Sequence, residues 1–410
     1  MAPTQKKPAP SNRTAHRILK SQQNTTVLVP LCGNFGSRMG GRNYAETLLS
    51  EIQKDDRGLR WIIGAKKSLI HALADHGSKV QIEWITFPDW SDSSLGRLLF
   101  EQLRLPFIIR ALQPTVVYFS GNFSTVLSRV PSVLAVRSLL EYKMPDEVRF
   151  VRRVLRKSLV RTSISKAHGI ISPSSHLARE IEQRFHVPAE RIHTVRHGIN
   201  PAYQTAPQDD RILDQLNLRG RPYFLYPASL WPYKNHMTLI QACRELTGES
   251  KKASIVFAGH GTATNATYKT RLGKAITEVS PPTRIILTGE LEARQLSALY
   301  SNASATLFPS TCESFGNPVV EAMSQGCPIV TSNRDALPEI VDSGGILLDP
   351  FDVHAWAREM SRLVNDPEYH DHWSREASRR TTIYDSSAAV DSLVDVLRSA
   401  TTPWLPARTT

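Results

Sequence analysis

"CESFGNPVVEAMSQGCP", residues Cys312–Pro328, sets Glu313 and Glu321 on either side of a Gly-Asn-Pro step. The run before it, "ATLFPS" (305–310), is apolar and β-rich and reads as a strand, which leaves 311–317 as a loop. Asn317 suits an N-cap, Pro318 the first helical position and Gly326 the C-terminal stop, so a helix is expected over about Pro318–Gln325. The amides that open such a helix lack carbonyl partners and carry partial positive charge, which suits a phosphate. Glu321, just inside the helix, either gains from the helix dipole or reaches ribose hydroxyls. Glu313 is either a solvated loop acid or a carboxylate that meets a sugar hydroxyl or a developing positive charge.

Two further stretches belong beside it. In "YPASLWPYKNHMTLIQA" (226–242) a strand ends near Ala228, and Lys234 stands where a helix begins. A lysine at the mouth of a parallel sheet is either solvated or neutralises a diphosphate leaving group. The loop and helix from 312 to 326 are expected to face it across an interdomain gap. "GNFGSRMGGRNYAETLL" (33–49) matches neither GxGxxG nor GxxxxGK[ST]. Gly40 and Gly41 still allow close backbone approach to a phosphate or acceptor.

Around these motifs β-branched runs alternate with amphipathic stretches, the pattern of parallel sheets covered by helices. Strands are expected at 25–30, 61–63, 80–85, 115–120, 132–137, 169–174 and 191–196. A second set is expected at 223–228, 254–259, 284–289, 305–310, 328–332 and 345–349. The break between the sets is rich in Pro, Gln and Asp. The fold class is therefore α/β, with two doubly wound, Rossmann-like parallel-sheet domains facing across a cleft, where ligands meet the carboxyl ends of the strands. The expected divisions are a disordered basic tail at 1–24, a first, acceptor-side domain at 25–200 and a linker at 201–212. A nucleotide-binding domain at 213–380, a closing helix at 381–400 and a loose tail at 401–410 follow.

The chain has 410 residues and a net charge of +12, of which five charges lie in residues 1–24. Charge alone admits nucleic acid, anionic lipid or a phosphorylated substrate, but no zinc finger or RNA-recognition signature is present, so nucleic acid is not expected. Four dispersed cysteines indicate neither a disulfide framework nor a zinc site and fit a reducing, cytoplasmic compartment. His370-Asp371-His372 looks like a metal pair but sits in a polar segment and reads as surface.

In their full contexts, 312–340, "SLWPYKN" (229–235), and "ISPSSHLAREI" with "VRHGIN" (171–200) resemble the group 1 (family 4) retaining glycosyltransferases of GT-B fold. The resemblance implies that Glu313 contacts the donor sugar, Glu321 the ribose and Lys234 the diphosphate. It also implies that backbone amides of Phe315, Gly316, Asn317 and Val319 hold sugar and phosphate, and that Gly40 and Gly41 close over the phosphates. Leu291 in "TGELEARQL" (288–296) would lie beside the base. Two departures stand out. Ser229 occupies the place of a frequent arginine, and Arg137-Ser138 replaces a common His-Asp pair, which makes Arg137 a candidate at the reacting centre or a liner of the acceptor cleft.

The implied reaction is transfer of a hexose or related sugar, with retention, from a GDP- or UDP-sugar to a saccharide or lipid-linked acceptor. The motifs lean toward mannosyl- and rhamnosyl-type polysaccharide enzymes. No Asp-x-Asp occurs in the chain, so neither a divalent metal nor another cofactor is expected. A disaccharide synthase acting on a soluble sugar or sugar phosphate stays open, as does a non-catalytic nucleotide- or nucleic-acid-binding protein. The segment 149–168 has Val151, Val154, Leu155 and Leu159 at helical spacing among arginines. It is either a sheet-packed helix with a basic face or a peripheral contact with anionic lipid at the inner face of a membrane.

Overall fold

The computed structural model describes residues 25–32, 40–74, 78, 80–92, 94–144, 150–205, 208–261 and 266–401. The expected tail at 1–24, the loop 33–39 and the end from 402 lie outside them. The first sheet comprises β1 (Thr26–Pro30), β2 (Arg60–Lys66), β3 (Glu83–Phe87), β4 (Val116–Phe119), β5 (Ser132–Ala135), β6 (Gly169–Ser172) and β7 (Ile192–Thr194). The second comprises β8 (Tyr223–Tyr226), β9 (Ser254–Phe257), β10 (Arg284–Leu287), β11 (Ala305–Phe308), β12 (Ile329–Ser332) and β13 (Ile346–Leu348). Their orders are β3-β2-β1-β4-β5-β6-β7 and β10-β9-β8-β11-β12-β13, with parallel pairings. Central strands such as β4, β8 and β11 are buried at every position because helices cover both faces, so they read as apolar runs rather than alternations. Strand order reverses between β1 and β4 and again between β8 and β11, which opens a crevice at the carboxyl end of each sheet.

Each expected strand is present. The largest displacement is β3, expected at 80–85, whose pairing with β2 begins only at Ile62 opposite Glu83. The polar segment around His370 is a helix, Pro367–Arg380, started by Asp366, whose carboxylate accepts from the Tyr369 amide at 3.0 Å. Its charged residues hide a packing edge of Tyr369, Trp373 and the buried Ala377.

The polar composition of 201–212 is misleading in the same way. Ile199, Tyr203, Ile212 and Leu213 are buried in the core of the second domain, so most of the expected linker is part of that domain. The crossing between domains is tight. The Ile199 amide donates to the Tyr384 carbonyl at 3.0 Å, where the chain returns. Beyond it the helix Ser386–Ala400 packs on the first domain, burying Leu393, Val394 and Leu397 against Val27, Leu48 and Trp61. Arg57 pairs with Asp391 at 2.8 Å, and the Ser386 hydroxyl donates to Glu51 at 2.9 Å. The closing helix therefore returns to the domain on which the chain began.

Gly198 sits where the two crossing segments touch, and a Cβ there would lie 2.3 Å from Cα of Ser386. That neighbour is backbone and cannot swing aside. A Gly198→Ala variant is expected to lose about 1–3 kcal/mol in urea unfolding through overpacking, and an unchanged midpoint would show that the crossing is looser than this.

Candidate active site

Between the domains lies a cleft of about 860 Å³. On its second-domain side, the segments after β8 and β11 meet at the switch point. The Tyr226 hydroxyl donates to the Lys234 carbonyl at 2.6 Å, and Asn235, in left-handed conformation, donates through Nδ2 to the Pro350 carbonyl at 2.7 Å. The Thr311 amide donates to the Tyr233 carbonyl at 2.8 Å, which ties this turn to the loop that carries Glu313. Lys234 Nζ and Glu313 Oε1 form a close ion pair, mostly shielded from solvent. Burial pushes the Lys234 ammonium down, but the Glu313 carboxylate more than offsets this, so the lysine stays charged. The expected gap between these groups does not exist: both stand on the same domain and touch.

The helix beside them runs Asn317–Ser324. Its start differs from expectation. Gly316, at φ +96°, occupies the cap position, and Asn317 is already helical. The Asn317 side chain turns instead toward the first domain, where its Oδ1 accepts from His197 Nδ1 at 2.9 Å. Burial, with Arg137 nearby, pushes His197 down to about 3, so the ring is neutral with its proton on Nδ1.

Glu321 lies on the cleft floor, 6% exposed. It accepts from the Tyr300 hydroxyl at 3.2 Å and from Asn43 of the first domain at 3.4 Å. Burial pushes its carboxyl up to about 7, against hydrogen bonds from Tyr203, Tyr300 and Asn43.

Phe315, Gly316, Ser229 and Leu291 also line the cleft, as does Arg137 from the opposite wall. Arg137 lies 5.0 Å from the centre of the Tyr44 ring, and its carbonyl accepts from the Ser314 hydroxyl beside Glu313. Three expected residues are placed elsewhere. The Val319 side chain is in the core, and its amide donates to the Gly316 carbonyl at 2.9 Å. Gly40 and Gly41 open the helix Gly40–Lys54, and the cleft is lined from its first turn by Arg42 and Asn43.

A charged bridge crosses the cleft where no motif announced one. Asp335, in the left-handed region at φ +51°, accepts from the Glu313 amide at 3.0 Å and pairs with Lys143 of the first domain at 2.8 Å. His176 approaches the same oxygen at 3.5 Å. Burial pushes the Asp335 carboxyl up, but these partners outweigh it and hold it at about 2. Below it, Glu339 accepts from the amides of Ser175 and His176, at 2.9 and 3.0 Å, at the start of the helix Ser175–Phe185. Both acids lie in the run 312–340, and His197 in "VRHGIN". Their partners across the cleft stand more than 100 residues away, so the residues were visible and those contacts were not.

Because the folded pKa of Glu321 is raised, its stabilising contribution is present below the unfolded value near 4.5 and lost as pH rises through about 7. Ligand-free Glu321→Gln is therefore expected to melt a few degrees above the unsubstituted protein at pH 8 and close to it at pH 5. An equal difference at both pH values would mean that Glu321 is ionised without cost.

Two family sequence models match the chain. "Glycosyltransferase Family 4" covers residues 64–203 and "Glycosyl transferases group 1" covers 208–380, one on each domain. O-antigen chain mannosyltransferase B of Escherichia coli is 28% identical over 314 residues, 71% of this chain and 79% of its own. Alpha-D-kanosaminyltransferase of Streptomyces kanamyceticus is 25% identical over 244 residues, 58% of this chain and 62% of its own. Anabaena HepE, crystallised with UDP and glucose, superposes with a TM-score of 0.70 over 92% of this chain and 100% of its own, at 18% identity. With both domains matched in sequence and the whole architecture matched in structure, the chain belongs to the group 1, family 4 glycosyltransferases and has their GT-B fold.

Proposed function

We propose that this glycosyltransferase is a retaining enzyme. It moves a hexose or related sugar from a GDP- or UDP-linked donor to a saccharide or lipid-linked acceptor in polysaccharide or glycoconjugate synthesis. One observation carries the reading: the shielded Lys234–Glu313 pair stands at a switch-point crevice, beside the N-terminus of the helix that bears Glu321. A nucleoside diphosphate laid along that helix end meets the amides of Gly316 and Asn317 and the Lys234 ammonium, with Glu321 placed for the ribose and Leu291 for the base. Glu313 then lies next to the sugar.

In the reaction the bond between the anomeric carbon and the diphosphate oxygen breaks. A bond to the acceptor oxygen forms on the same face, and the acceptor proton passes to the departing diphosphate. The transition state is loose, so most catalysis comes from positioned charge on the leaving group. Lys234 and the helix end supply that charge, and for this reason the proposal includes no metal. The similarity to a mannosyltransferase favours a mannosyl donor.

The test is release of nucleoside diphosphate from a panel of UDP-, GDP-, ADP- and dTDP-sugars, run with and without EDTA. One donor class is expected to respond, at equal rate in both buffers. Glu313→Ala should lower kcat about 100-fold with donor KM little changed, whereas Glu321→Ala should chiefly raise donor KM, about 10-fold. Unaltered kinetics in both variants, or loss of all release in EDTA, would overturn this reading.

The lipid-linked form of the acceptor draws support from the outer face of the first domain. In the helix Phe150–Lys166, Val160 and Ile164 pack on the sheet, while Val154 and Leu155 are 52% and 45% exposed. On the same sheet face, helical residues 94–112 expose Leu103 at 58% and Phe107 at 73%, one turn apart, next to Arg104 and Arg110. The anionic-membrane contact expected at 149–168 is thus proposed to extend over both helices. Leu103→Ser with Phe107→Ser should reduce co-sedimentation with vesicles containing anionic lipid several-fold, and equal recovery with neutral and anionic vesicles would end the idea.

A further inference from the structure

Two arginines on the first-domain wall are not among the groups assigned to the donor. Arg97 Nε donates to Glu101 at 2.8 Å, and Arg156 Nε donates to Glu141 at 2.9 Å. The two acids are 5% and 2% exposed, whereas the arginine side chains keep 27% and 32% of their surface on the cleft. Burying a carboxylate is costly unless a cation answers it. Here each is answered by one Nε–H, which fixes the plane of the guanidinium and leaves its two Nη groups to other use. Among the described residues no side-chain or backbone acceptor binds those Nη atoms.

Both arginines line the cleft, and a hydrogen-bonded loop connects their surroundings. The Asn122 side chain donates to the Ser138 carbonyl at 2.7 Å and accepts from the Arg137 amide at 2.8 Å, which joins the loop under Arg97 to the segment leading to Glu141. Arg97 lies 4.8 Å from the centre of the Phe123 ring and close over Gly121, where a Cβ would be 2.9 Å from its Nη2. Other cations on this wall have partners: Lys143 is taken by Asp335 and Glu180, and Arg42 by Glu46.

We infer that Arg97 and Arg156 form an anion subsite that holds a phosphate group carried by the acceptor. Two oriented forks offer four Nη groups, a better match to a tetrahedral anion with three free oxygens than to a carboxylate. Because each arginine is already neutralised by its buried acid, the subsite selects by hydrogen-bond geometry rather than by bulk charge. The inference rests on the proposed function in one respect, namely that the donor occupies the opposite wall.

The test titrates inorganic phosphate into the full chain by calorimetry, first alone and then saturated with the nucleoside diphosphate released in the donor screen. Phosphate is expected to bind both forms, and Arg97→Gln and Arg156→Gln should each weaken it at least 10-fold. Nucleoside diphosphate affinity in the variants reads whether the cleft is still formed. Should one glutamine variant not fold, Arg97→Lys or Arg156→Lys, which keeps the charge but loses the fork, should still weaken phosphate several-fold. Two arms then separate the sources. Vesicles containing a polyprenyl phosphate should compete with inorganic phosphate if the acceptor is lipid-borne, and a free hexose phosphate should compete if it is soluble. Equal phosphate affinity in the unsubstituted protein and both variants, or no phosphate binding by protein that binds nucleoside diphosphate, overturns the subsite. Phosphate bound through these arginines by a protein that binds no nucleoside diphosphate sustains the subsite and sinks the donor assignment instead.

Discussion

One ion pair, held where little water reaches, organises the cleft. Lys234 and Glu313 are 14% and 12% exposed, so removing either strands a charge in a low-dielectric setting, which is costlier than never having buried the pair. The surrounding hydrogen bonds serve mainly to keep the two loops in register: Tyr226 on the Lys234 carbonyl, Asn235 on Pro350, and Thr311 on Tyr233. The tyrosine is the last residue of a buried strand and the asparagine needs a left-handed backbone, so the lysine is fixed by the fold rather than by its own side chain. On the proposed reading, an arriving diphosphate competes for Lys234 and loosens Glu313 toward the sugar. The pair is then a resting arrangement of the same two groups that the reaction uses.

A switch point supplies only half of such a site, and the other half arrives by contacts between domains. Asp335 is central to these because it touches the Glu313 amide and Lys143 at once. The Ser314 hydroxyl, one residue further on, donates to the Arg137 carbonyl, and the Ser174 hydroxyl donates to the Ser314 carbonyl at 2.8 Å. Two consecutive positions of the loop are thus tied to the first domain, Ser314 directly and Glu313 through Asp335. Any opening at Gly198 and Tyr384 pulls on the loop that bears Glu313, which couples domain position to the geometry of the acid.

The strands were legible because a doubly covered parallel sheet demands unbroken apolar runs, and such runs as "ATLFPS" and "SIVFAG" have few other uses. The helix Pro367–Arg380 was not, since its buried edge is two aromatics and an alanine among ten charged or polar residues. At the site, Glu313, Glu321 and Lys234 could be picked out because chemistry and local turn signals coincide within each stretch. The cap at Gly316 rather than Asn317 could not, because Asn317 is recruited by His197, 120 residues earlier, and that competition is absent from any local rule. Asn43, Asp335 and Lys143 fail for the same reason: each has a partner on the other domain that no local pattern reveals.

Glu321 shows why such a site resists stability arguments. A carboxyl raised to about 7 is poorly solvated, and an apolar or amide side chain would suit the ligand-free fold better. The fold nevertheless surrounds it with Tyr300, Tyr203 and Asn43, which lower the cost without abolishing it. Ribose hydroxyls would complete this shell, since each can donate to a carboxylate oxygen that the protein leaves only weakly satisfied. The ionised acid is then stabilised by the ligand and destabilised without it, so part of the donor's binding energy is the relief of a penalty built into the empty cleft. A strained acid of this kind also discriminates, because a ligand lacking a hydroxyl at that position leaves the penalty in place.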